Sequence, residues 1–209
     1  MTTRLIVFAK LPVPGRVKTR LAATVGEAAA LDAHRRLFAA TLALARDGAV
    51  GRRELRYDDC GRPPDAPTRA ALEALADAGW SVGPQRGADL GARMREALED
   101  ALAAGDRAVL IGCDCPVLRP DDLAAAFAAL DAHDAVLAPA EDGGYALVGL
   151  ARPLPGLFDG IDWGTGTVLE ATRGRLAAAG ARWHELRTVW DVDVEADLAR
   201  WAASRGAAS

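Results

Sequence analysis

Three short, unbroken apolar runs limit what this chain can become: residues 5–9, 108–112 and 135–138. None alternates with polar residues, so each predicts a strand buried on both faces, as in a parallel sheet between helices. Between them lie stretches at helical spacing. Residues 28–45 place Leu31, Phe38 and Leu42 on one face, and residues 89–104 do the same with Leu90, Met94, Leu98 and Leu102. Residues 69–78, 120–130, 165–179 and 194–203 also read as helices, and residues 53–57, 80–82, 145–150 and 182–186 as further strands. Residues 53–57 have the weakest pattern of these.

Alternating strands and helices predict an α/β fold: a Rossmann-like, mostly parallel sheet with helices on both faces. The short Glu141-Asp-Gly-Gly144 turn between two strands predicts one antiparallel member. The length fits one domain over residues 1–203, with residues 204–209 expected to be a disordered tail. Ligands of such sheets bind beyond the carboxyl ends of the strands. The loops to inspect therefore follow residues 9, 112 and 138 and surround Asp191.

Composition excludes several functions. A net charge of −4 and a pI near 5.4 do not suit a nucleic-acid binder, which needs a basic face. Three cysteines without framework spacing argue against a disulfide-stapled secreted domain and are too few for a four-thiolate zinc site. Cys113 and Cys115 read as small buried residues beside a strand end. No run is long enough for a signal peptide or a membrane span, so the protein is expected in the cytoplasm. His34, His133 and His184 sit apart from any nucleophile or zinc motif and read as structural or surface residues.

What remains basic is local. After the first strand the chain reads Lys10-Leu-Pro-Val-Pro-Gly15-Arg16-Val-Lys18-Thr-Arg20. Gly15 allows close backbone approach, and three alternating cations at a helix start suit a phosphate chain, although a solvated basic loop would look the same. The pattern is neither a Walker A loop nor Gly-x-Gly-x-x-Gly. Asp114 ends the second buried strand, where a carboxylate can hold a hard cation or cap the next segment. Asp191 and Asp193 form a second acidic pair; either could be the other metal ligand, and Asp193 could equally cap the last helix. Glu141, Asp142, Gly143, Gly144 and Tyr145 make a tight turn against which a ligand could lie, with Asp142 as a base, or simply a hairpin turn. Trp163 and Thr165 precede a helix and could touch a ligand or cap that helix.

These segments, in this order, resemble a family. Phe8 to Leu21, Gly112-Cys-Asp-Cys-Pro116, Pro139 to Tyr145 and Asp191-Val-Asp193 are similar to the GT-A-like transferases known as selenodomain-associated transferases or glycosyltransferases. More distantly they resemble the 2-phospho-lactate and molybdenum-cofactor guanylyltransferases. The resemblance implies the nucleotide-diphospho-sugar transferase fold, with a nucleotide over Ala9, Lys10, Gly15, Arg16, Lys18 and Arg20. Lys18 and Arg20 would hold phosphates catalytically, with Asp142 as the candidate base. Asp114 would match the family's metal aspartate, Asp191 or Asp193 would complete the Mg²⁺ or Mn²⁺ site, and residues 141–145 would face a small-molecule acceptor. The expected reaction is nucleotidyl transfer from an NTP to a phosphorylated or oxyanion acceptor, releasing pyrophosphate. The alternatives are glycosyl transfer from an NDP-sugar and a nucleotide-binding protein without turnover. Neither nucleic acid nor membrane is an expected partner, and a homodimer is allowed.

Overall fold

The computed structural model describes residues 2–48 and 51–206. One seven-stranded sheet has the order β3-β2-β1-β4-β6-β5-β7. Its strands are β1 (Thr2–Lys10), β2 (Arg52–Asp58), β3 (Ser81–Pro84), β4 (Asp106–Gly112), β5 (Ala135–Pro139), β6 (Tyr145–Leu150) and β7 (Trp183–Glu185). Only β6 runs antiparallel to its neighbours, pairing with β4 and β5, and every other pairing is parallel. The fold is thus the expected mostly parallel α/β sheet, and the turn at residues 141–144 produces its antiparallel member.

The two-sided burial of β1 follows from its period of two. Leu5, Val7 and Ala9 join one core, with Phe38 and Leu42 of α2 (Glu27–Asp47) and Leu123 and Phe127 of α5 (Pro120–Ala129). Ile6 and Phe8 join the other, with Met94 and Leu98 of α4 (Leu90–Ala103) and Leu169 and Leu176 of α6 (Val168–Ala178). The remaining helices are α1 (Thr19–Val25), α3 (Ala66–Asp77) and α7 (Glu195–Gly206).

Three differences from the sequence reading have physical causes. A separate helix, α1, precedes α2, because Gly26 takes a φ of +83°, which ends one helix and starts the other. The weak pattern of β2 reflects a charge in the core: Glu54 is buried beside Leu55 and paired with Arg4 and Arg56. Leu90 opens α4 but is 43% exposed, so the buried face begins at Gly91 and Met94. At the carboxyl end, α7 runs through Ser204 to Gly206, into the expected tail; residues 207–209 lie outside the described residues.

The chain after β7 closes over the sheet. Ala140 bridges to Val189, and the Val192 amide donates to the Asp114 carbonyl at 2.9 Å. These contacts carry Asp191 and Asp193 to the carboxyl ends of β1 and β4.

Candidate active site

A cleft of about 690 Å³ opens along those strand ends. That volume is ample for a nucleotide-sized ligand. Lys18 lies at its centre. It is the residue before α1 and has a left-handed backbone, with φ +49°. This conformation turns its side chain inward, leaving it only 3% exposed. Its Nζ lies 2.8 Å from Asp114 Oδ1 and 3.2 Å from Asp193 Oδ1. Burial alone would lower the ammonium pKa, but the two carboxylates raise it above the ordinary lysine value, so the charge stays. Arg20 holds the other Asp193 oxygen at 3.1 Å.

Asp193 therefore has two cationic partners, whereas Asp191 forms no ion pair among the described residues. Burial, followed by the Asp142 and Asp193 charges, pushes the Asp191 carboxyl up to about 6. Asp114 is about half exposed to the cleft. The arrangement concentrates three carboxylates and one buried ammonium at one end of the cleft, with an excess of negative charge once Asp191 ionises.

Trp163, Thr165 and Tyr145 also line the cleft. The Thr165 hydroxyl donates to the Asp162 carbonyl, and it lies 2.8 Å from the Thr167 hydroxyl. Thr167 occupies the cap position of α6 but makes no side-chain cap bond. Burial raises the Tyr145 phenol far above its ordinary pKa, so it remains neutral. Asp142 lines the cleft and accepts the Gly144 amide at 2.9 Å, so the turn and ligand-facing readings coexist in one residue.

Several sequence-predicted residues are not in the cleft wall. Arg16 and Gly15 sit farther out on the first loop, where Gly15 (φ +69°) faces the Glu27 carboxylate. Gly143 has φ +86° and packs on Gly166 so closely that a Cβ would overlap its carbonyl, and its own carbonyl accepts the Leu169 amide. Its role is to join the turn to α6. Glu141 turns toward α7, where Arg200 holds it at 2.7 and 3.0 Å while stacking 4.3 Å over Trp190. It lines a smaller neighbouring hollow instead. Ala9, Lys10, Lys18, Arg20, Asp114, Asp142, Gly144, Tyr145, Trp163, Thr165, Asp191 and Asp193 do come together around the cleft.

The sequence reading missed the outer end of the cleft. Arg93 of α4 donates to Asp58 at 2.9 Å, and the Gln85 amide donates to the Arg56 carbonyl at 3.1 Å. Asp58 ends β2 and Gln85 follows β3, so inspecting every strand's carboxyl end would have found both. His34, expected to be a structural or surface residue, is buried, with its Nε2 at 2.9 Å from the Lys10 carbonyl. Cys113 and Cys115 are buried as expected, and burial holds both thiols above the ordinary value.

A family model described as "Uncharacterized protein conserved in bacteria (DUF2064)" matches residues 39–165, more than half of the chain. The chain belongs to the DUF2064 family. Among solved structures it is similar to a protein of Desulfovibrio desulfuricans G20 provisionally named a nucleotide-diphospho-sugar transferase. The two share 32% identity over 93% of this chain and 84% of that one, with a TM-score of 0.80. The manganese complex of Rv0371C from Mycobacterium tuberculosis H37Rv shares the fold at 19% identity, covering 96% and 97% of the two chains with a TM-score of 0.58. A CMP:2-keto-3-deoxy-manno-octonic acid synthetase solved with CTP does so at 15% identity over the full length of both chains, with a TM-score of 0.56. No curated protein matches the chain. This DUF2064 protein is a transferase of the GT-A-like nucleotide-diphospho-sugar transferase superfamily. No helix among its described residues is long and apolar enough to cross a membrane.

Proposed function

We propose that this DUF2064 protein is a divalent-metal-dependent nucleotidyltransferase. In this reading an acceptor oxyanion attacks the α-phosphorus of an NTP, and pyrophosphate leaves. The observation that carries the reading is the unequal pairing of the three aspartates. Among the described residues Asp193 is paired with both Lys18 and Arg20 and half-exposed Asp114 with Lys18, whereas Asp191 is in no ion pair. Asp114 and Asp191 are therefore the assigned ligands of a hard cation, and Asp193 positions the two basic side chains. The all-oxygen donor set and open cleft suit Mg²⁺ or Mn²⁺, held by one or two carboxylates plus ligand phosphates. When bound, the ion would neutralise charge on the phosphate oxygens.

The chain's own residues do the rest. Lys18 exchanges its carboxylate partners for phosphate oxygens and offsets charge as it builds on the leaving pyrophosphate. Arg20, at the exposed mouth, neutralises the far end of the triphosphate. Asp58 and Gln85, at the other end of the cleft, lie where a base would reach. Trp163, Thr165, Gly144 and Asp142 form the acceptor wall, and the catalytic gain is chiefly one of orientation.

Glycosyl transfer from an NDP-sugar is the second reading. It is supported by the Asp142 carboxylate in the cleft lining, a candidate base for a sugar hydroxyl. A thermal-melting panel of NTPs and NDP-sugars, with and without Mg²⁺ or Mn²⁺, separates the two. At a hundredfold its dissociation constant a true ligand adds about 2.7 kcal/mol. A metal-dependent shift with an NTP is the expected result. A shift confined to an NDP-sugar would favour glycosyl transfer, and no shift with any nucleotide would overturn both readings.

A further inference from the structure

At the cleft floor three side chains of different chemistry converge, and the transfer reaction leaves two of them unused. His34, on α2, is 2% exposed. Its Nε2 lies 2.9 Å from the Lys10 carbonyl oxygen. That contact fixes the proton on Nε2 and leaves the lone pair on Nδ1. Nδ1 is fully buried and has no hydrogen-bond partner among the described residues. Buried polar atoms are rarely left so, because an unmet lone pair costs free energy. Cys113 is also buried, and its Sγ lies 3.7 Å from Asp114 Oδ1. One ligand atom from each of His34, Cys113 and Asp114 falls within 4.8 Å of the others.

We propose that His34, Cys113 and Asp114 form a binding site for a thiophilic divalent transition ion of the zinc class. An imidazole anchored through its second nitrogen to a backbone carbonyl is the arrangement that orients a metal-binding histidine. The mixed nitrogen, sulfur and oxygen set selects a borderline-soft ion over Mg²⁺, which prefers oxygen alone. The charges balance as well. Binding releases the Cys113 thiol proton to solvent and forms a metal–thiolate bond. The thiolate and the Asp114 carboxylate then match the two positive charges of the ion, and the imidazole stays neutral. Lys18 gives up Asp114 and keeps Asp193 as its counter-charge.

The site has one consequence for catalysis, which alone rests on the proposed function. Asp114 belongs to both donor sets, so a thiophilic ion that takes it withdraws it from the hard cation and inhibits transfer. Binding itself does not depend on any nucleotide, so the two ideas can fail separately.

The test uses the whole protein with Co²⁺ as the probe and no nucleotide. The expected result is a thiolate-to-cobalt charge-transfer band in the near ultraviolet that saturates at one equivalent and disappears when Zn²⁺ is added. Cys113→Ser should abolish the band while Cys115→Ser retains it, with folding of each variant checked by circular dichroism. His34→Gln, a second route should Cys113→Ser fail to fold, should weaken cobalt binding by roughly tenfold or more, the scale of even outer-shell changes at metal sites. A wild-type protein without the band, or a band that survives Cys113→Ser or is unchanged by His34→Gln, would overturn the proposal.

Discussion

The strands β1 and β4 carry a charged cluster at each end, and the two clusters are built on opposite principles. At the amino ends, Asp106 is fully buried and receives Thr2 and Arg4, the latter at 2.7 Å, with Arg52 at 3.7 Å. Arg4 also reaches Glu54 at 3.1 Å, and Arg56, two residues along β2, pairs with Glu54 as well. Every carboxylate there has a cation. At the carboxyl ends, Lys18 is shared between Asp114 and Asp193, and Asp191 is left to repel its neighbours. The first cluster is saturated and sealed, whereas the second is short of positive charge and open. The second arrangement does little to stabilise the fold, and a cation would offset its excess negative charge, which marks it as the candidate functional site.

The largest effects should separate the clusters. Asp106→Asn takes one of the two buried counter-charges from Arg4, leaving only Glu54, and should cost about 3 kcal/mol, the scale for breaking a buried pair, read as a lower urea midpoint. Asp114→Asn should leave the midpoint within about 1 kcal/mol of wild type because Asp114 is half exposed and buried Lys18 keeps Asp193 as its counter-charge. It should nevertheless cut metal-dependent product formation by about a hundredfold or more, as losing a charge-stabilising group does. If Asp106→Asn is as stable as wild type, or Asp114→Asn turns over normally, the division of labour between the two ends is wrong.

A middle-sized effect sharpens the comparison through pH. The Asp191 carboxyl is raised from 3.8 to about 6 by burial and by Asp142 and Asp193. A carboxyl raised by folding favours the folded state while protonated. Its contribution is full below about pH 4 and is lost as pH rises through about 6. The ligand-free protein should therefore lose melting temperature over that window, and Asp191→Asn should flatten the loss. Mn²⁺ with nucleotide should bind more tightly as pH rises through about 6, since the ion takes the ionised carboxylate. An Asp191→Asn curve that overlays wild type would remove Asp191 from the list of ligands.

How much of this could be read in the sequence divides along the same line. The unbroken apolar runs fixed the parallel core, since only burial on both faces explains them, and Asp-Gly-Gly located the antiparallel strand. Lys18, Asp114 and the Asp191–Asp193 pair were legible because each follows a strand end. Which aspartate lacks a cation was not legible, because the answer lies in the left-handed backbone at Lys18, and no local pattern encodes that. The saturated cluster was invisible for a related reason. Glu54 reads as a surface residue until Arg4 and Arg56 are brought to it by pairing, and that same buried charge blurred the pattern of β2. His34 reads as structural or surface because no nucleophile or zinc motif stands beside it in the sequence; the Lys10 carbonyl it reaches lies 24 positions away.

The smallest effect comes from the pair that lies between the clusters in neither sense. Glu141 and Arg200 form a two-bond ion pair on the surface of α7, with Arg200 also over Trp190. The geometry is good, but both side chains are solvated, and such pairs contribute little because water and salt screen them. Arg200→Ala should therefore shift the melting temperature only slightly. It releases Glu141 beside the hollow that Arg20 and Asp193 share with it. If Glu141 were an acceptor ligand held in reserve, its release would change the KM for acceptor and leave that for nucleotide alone. The expected result is no change in either, because Glu141 faces α7 and Asp142 alone of the two lines the main cleft. A changed acceptor KM would bring Glu141 back to the acceptor wall and make its pairing with Arg200 a latch.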